Sequence, residues 1–166
     1  CALMVEFKED NKQSTTGNGK FLNTIEGIDC ESYHIDPPPH DGEYFYSQLK
    51  ATDSYFRSVS YDEFGIDTIS SIIMPIDNSP YELPYEMSHY YPYGQDSIAD
   101  KRLTELYIHS LEAAYDRDEV NFSDYDLIIV FHAGIGQDFS LPFLDPTPED
   151  IPSTYIDTDM IYESIG

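Results

Sequence analysis

The sequence predicts an α/β fold, in its α+β variety: a twisted mixed sheet backed by two main helices. Three observations carry that expectation. Residues 1–7 (CALMVEF) and 127–131 (LIIVF) are apolar runs of strand length. Two longer stretches, residues 41–59 and 97–117, repeat apolar side chains at helical steps of three and four. The order is strand, helix, strand or hairpin, helix, strand, which right-handed crossovers would fold into one sheet with helices against it.

Each element can be justified in turn. In residues 1–7, Leu3, Val5 and Phe7 share one face, and Ala2 and Met4 make the other face apolar too, as in a central strand. Residues 8–20 are polar and end in Gly17-Asn18-Gly19, a turn signal. Three prolines hold residues 34–40 extended, and residues 21–28 declare no element. Asp41 suits the N-cap of the first helix, whose inward stripe is Phe45, Leu49, Thr52, Phe56 and Val59. Residues 64–74 carry Ile66, Ile69, Ile72, Ile73 and Met74, enough for one or two strands. Residues 75–94, rich in proline and tyrosine, read as a surface excursion packed by its own rings.

The second helix takes Ser97 as its cap, with Asp100 three residues on. Leu103, Leu106, Tyr107, Ser110, Leu111 and Ala114 form its inward face, and Arg102, Glu105, His109 and Glu112 its solvated one. Residues 127–131 then read as a second central strand, covered on both faces. Beyond Gly136, Pro142, Pro146, Pro148 and Pro152 interrupt a run containing Asp145, Glu149, Asp150, Asp157 and Asp159. Residues 141–166 are therefore expected to be a loop-rich acidic tail without a packing partner.

Composition bounds function. The 166 residues suit a single α/β unit. Eight Lys and Arg against 32 Asp and Glu give a net charge of −24, which disfavours nucleic acid and anionic membranes as partners. No stretch approaches the ~20 apolar residues of a membrane span. The first residue is Cys, and a strand begins at once, as expected of a processed or incomplete piece of a longer product. Cys1 and Cys30 are the two cysteines, and either one disulfide or two thiols is compatible with the sequence.

Sites in α/β proteins gather beyond the carboxyl ends of buried strands. After residues 127–131 this position holds His132, Gly134, Gly136, Gln137 and Asp138, a candidate cleft-lining or structural loop. The two glycines admit positive φ or close backbone approach. No catalytic residue and no metal ligand follow from spacing. None of the five histidines falls in an HExxH pair, no GxSxG elbow or CxxC pair is present, and a phosphate loop would need a third glycine. Asp157-Thr158-Asp159 offers oxygen ligands for calcium, but no EF-hand loop surrounds it, and a solvated charge run is the default reading.

Three blocks carry a resemblance. They are Leu3-Met4-Val5-Glu6-Phe7; Tyr55-Phe56-Arg57-Ser58-Val59-Ser60-Tyr61 followed by Phe64-Gly65-Ile66-Asp67; and Ser123-Asp124-Tyr125-Asp126 through Phe131-His132-Ala133-Gly134 and Gln137. In this order they resemble segments of the immune inhibitor A-like family of secreted zinc metallopeptidases, and they span most of residues 2–138. The resemblance implies a zincin-like N-terminal subdomain, secreted or at the extracellular surface, lining one side of a cleft for a polypeptide substrate. In that family the HExxH helix lies further along, and no residue of this sequence matches it. Zinc is thus implied only for a further C-terminal part, and no cofactor within this chain. The alternative is a non-catalytic extracellular surface or assembly protein that reuses the fold, with tyrosine-rich loops meeting a protein partner or a second copy.

Overall fold

The computed structural model describes residues 1–23, 37–137 and 145–165. It has an α/β architecture: a small parallel sheet with helices on both faces. The strands are β1 (Ala2–Glu6), β2 (Ile73–Met74), β3 (Tyr81–Glu82) and β4 (Ile129–His132). The helices are α1 (Gly42–Val59), α2 (Met87–Tyr90), α3 (Ala99–Asp118) and α4 (Thr158–Ile165).

β1 is the centre. Ala2 pairs with Ile73 and Val5 with Tyr81, while Ala2 to Val5 also pair with Ile129 to His132. A strand has two edges, so β2 and β3 must share one of them and β4 takes the other. All three pairings are parallel, where a mixed sheet was expected. The long helical excursions between the strands provide the crossovers that parallel pairing demands.

Alternation along β1 sets the layers. Leu3, Val5 and Phe7 enter a core with Leu103, Leu106, Tyr81, Leu83, Met87 and Tyr90. Ala2 and Met4 turn to the opposite face, in register with Ile129 and Phe131. There the ring of Phe45 from α1 stacks on Phe131, with centroids 4.6 Å apart. The Asp41 carboxylate accepts from the Tyr44 amide at 3.0 Å, capping α1 as expected. Phe45 and Leu49 are buried, but the stripe runs out into solvent, and Val59 is exposed.

Several expectations are corrected. Residues 127–131 do not form a central strand: β4 lies at the edge, is only half-buried, and begins at Ile129, with Leu127 exposed. Ser97 does not cap α3. It lies inside a 3-10 turn, Asp96–Ile98, that leads into the helix. Residues 75–94 are not a surface excursion, because Tyr81, Leu83, Met87 and Tyr90 are among the most deeply buried side chains of the protein. Their rings cover the core face of β1, and the two hydroxyls find partners in Asp118 and His109.

The tail also packs. Ile151 is buried, and Asp150 accepts from both the amide and the hydroxyl of Thr16, each at 2.6 Å. The Glu149 amide donates to the Ser14 carbonyl, and α4 lies beside α3. Prolines end at Pro152, so they do not prevent this last helix. Asp157 accepts from the Met160 amide at 2.9 Å, capping the start of α4. Cys1 is a buried free thiol; Cys30, His34 and Asp138 lie outside the described residues.

Candidate functional site

A cleft of about 1120 Å³ runs along the outer side of β4. Its floor is Ile129 to His132, α1 contributes Tyr44 and Gln48, and α3 contributes Leu106 and Tyr107. Residues 151–156 form its rim. The backbone of β4 fixes which groups face it. The amides of Ile129 and Ala133 donate to the carbonyls of Cys1 and Val5. In a parallel ladder alternate residues bond to opposite neighbours, so the amides and carbonyls of Val130 and His132 point outward. Among the described residues no strand pairs with that side.

The expected loop residues stand at the end of this cleft. His132 closes β4, with its ring 6.0 Å from Phe7 and its Nδ1 3.0 Å from the Ala133 carbonyl. A carbonyl only accepts, so Nδ1 carries the hydrogen. Gly134 has φ +95°, a conformation L side chains rarely adopt, and a Cβ built there would collide with Met87 Cε. Gly136 lines the cleft. Gln137 ties the loop to the tail: its amide donates to the Ile151 carbonyl at 3.0 Å and its Nε2 donates to Asp145. The loop is therefore positioned by backbone and amide bonds. Of the lining side chains, the ordinarily charged or readily titrated ones are Asp126 and His132, and burial pushes the Tyr107 hydroxyl up.

The described residues do not fit a catalytic zinc, which needs three protein ligands. No group of three or more His, Cys, Asp or Glu among them is arranged to hold a metal ion.

A second polar cluster escaped the sequence reading. Arg102, Glu105 and His109, expected on a solvated face of α3, are partly covered by α2. His89 Nε2 is 3.2 Å from Glu105 Oε2 and 2.9 Å from Arg102 Nη1, and Arg102 Nη1 donates to the same Glu105 oxygen at 2.6 Å. Tyr90 shares a 3.0 Å hydrogen bond with His109 Nδ1, and Tyr85 stacks on His89 at 3.9 Å. Burial, then the Arg102 charge, holds the His89 pKa below its ordinary value. Burial alone would raise Glu105, but the hydrogen bond and charge of Arg102, with His89, leave it lowered. The available signal was a polar stripe on α3 without an assigned partner, matched by the ring-rich stretch Tyr85-Glu86-Met87-Ser88-His89-Tyr90-Tyr91.

No family model matches the chain, and neither a curated protein nor a solved structure does. None of the described helices is long and apolar enough to cross a membrane.

Proposed function

We propose that this chain is the non-zinc-bearing portion of a secreted metallopeptidase-like protein, and that it presents the β4 edge to an extended polypeptide. The observation that carries the reading is the cleft itself. Among the described residues no strand pairs with the outer edge of β4, which lies between two helices with the backbone groups of Val130 turned outward. Main-chain hydrogen bonds to such an edge give affinity with little demand on sequence, and the apolar and aromatic walls would select alternate side chains. In this reading the zinc and the hydrolytic step are not assigned to any of the described residues.

The test is titration of the 166-residue chain with unstructured eight- to ten-residue peptides, followed by backbone amide shifts. Binding should move Val130 and His132 more than Ala2 to Glu6. Absence of binding by every peptide, or shifts confined elsewhere, would overturn the reading. The same chain should leave casein intact; chelator-sensitive cleavage by it would show that the hydrolytic group lies here after all.

One observation favours a second reading, a non-catalytic surface or assembly protein. Tyr55, Val59, Tyr61, Phe64 and Ile69 are all exposed around the end of α1. Sedimentation over a range of concentrations decides it: self-association lost in Val59→Ser supports assembly, and a monomer throughout removes self-assembly through this patch.

A further inference from the structure

We infer that His89 is a proton-operated latch between α2 and α3, and that its state sets the seat of the Gly134 loop at the end of the cleft. His89 Nε2 lies within bonding distance of both Arg102 Nη1 and Glu105 Oε2. A guanidinium only donates and an ionised carboxylate only accepts. Nε2 can meet Arg102 only through its lone pair and Glu105 only through a hydrogen, so the two contacts belong to different tautomers or protonation states of the ring.

With His89 neutral and its hydrogen on Nδ1, Nε2 accepts from Arg102, which also holds Glu105. Protonation places a hydrogen on Nε2, ends the Arg102 bond, and leaves two cations competing for one carboxylate. The other groups facing the ring do not relieve this. The charge of His109 acts on His89 in the same direction as that of Arg102, and Tyr85 and Tyr90 face the ring with aromatic surface rather than a carboxylate. At the start of α2, Lys12 is occupied by Glu86 and Ser88. The depressed His89 pKa agrees in direction: acid works against the docked arrangement.

α2 touches the loop directly. Met87 fills the space that a side chain at Gly134 would need. The Tyr90 ring is 5.7 Å from Phe7, which in turn lies 6.0 Å from His132. Loosening four residues of α2 therefore withdraws Met87 from beneath Gly134 and breaks the line of rings to His132.

Nitrogen-15 spectra of the whole chain test the starting state, with no variant needed. At pH 7.5 His89 should be the Nδ1–H tautomer, with Nε2 unprotonated. Between pH 7.5 and 5.0, hydrogen-exchange protection of residues 86–91, corrected for intrinsic rates, should fall severalfold. Gly134 should shift with it, while Ala2 to Glu6 hold. His89→Gln should abolish that step and His109→Gln should keep it. An Nε2–H tautomer at pH 7.5, protection unchanged over the range, or a step that survives in His89→Gln overturns the inference. None of these readouts contains peptide, so they stand or fall apart from the cleft reading.

Discussion

β1 and β4 both lie in apolar runs of strand length, residues 1–7 and 127–131, and from sequence both are expected to be central, yet the structure surrounds them differently. β1 has strands along both edges and side-chain layers on both faces, and Ala2, Leu3, Met4 and Val5 are fully buried. β4 has β1 on one side and a cleft on the other, and every residue in it is half-buried. Side-chain character reports what lies above and below a sheet; it does not report what lies beside a strand, because that contact is made by backbone. Among the described residues, β4 is thus the strand with a neighbour on one edge and a cleft along the other.

Substitutions can break this contrast. The largest effect should come from Val5→Asp, which buries a carboxylate with no partner and should cost about 3–5 kcal/mol, a large share of a typical domain stability of about 5–15 kcal/mol. Ile129→Asp, on the half-buried edge, should cost less than half as much, because its carboxylate can turn toward the cleft. Urea midpoints of the two variants measure this, and equal losses would mean that β4 is as enclosed as β1. Leu83→Ala comes next, at about 2–5 kcal/mol by the usual cost of emptying a buried site. A loss near zero would return residues 75–94 to the surface.

Smaller effects sharpen the comparison at the end of β4. Gly134→Ala should cost about 1–2 kcal/mol from its left-handed backbone, plus whatever Met87 must yield. A double-mutant cycle with Met87→Ala should show the two costs to be coupled. Least should be the pH effect. The folded pKa of His89 lies below its ordinary 6.5, so its contribution is whole above that pH and lost as pH falls through the folded value. Glu105 is likewise lowered from 4.5, and its contribution is present above 4.5 and lost below. Stability should therefore fall in two acid steps, and His89→Gln should flatten the upper one in urea titrations.

Much of the scaffold was legible. Apolar faces on both sides marked β1 as central, and Asp41 marked the start of α1, because both signals are local. Ser97 misled because the 3-10 turn moves the helix start two residues on. The tyrosines of residues 81–90 misled more deeply. A ring with a hydroxyl suits a surface unless the hydroxyl has a buried partner, and these partners, Asp118 and His109, are 37 and 19 residues away. The candidate loop could be read as the segment after β4, but the cleft beside it has a wall of α1, α3 and residues 151–156, assembled from three separate parts of the chain.

The central place of β1 has a consequence for synthesis. This strand leaves the ribosome before any of its neighbours, and its register partners are Ile73, Tyr81 and then Ile129 to His132. At roughly 5–20 residues per second, it waits some seconds for the first and longer for the last. Throughout that time Leu-Met-Val-Glu-Phe is an unpaired apolar segment with high strand propensity, the type of sequence that seeks other chains. Newly made chains therefore depend on holding factors, or on their acidic neighbours and strong mutual repulsion, to keep β1 apart until its last partner emerges.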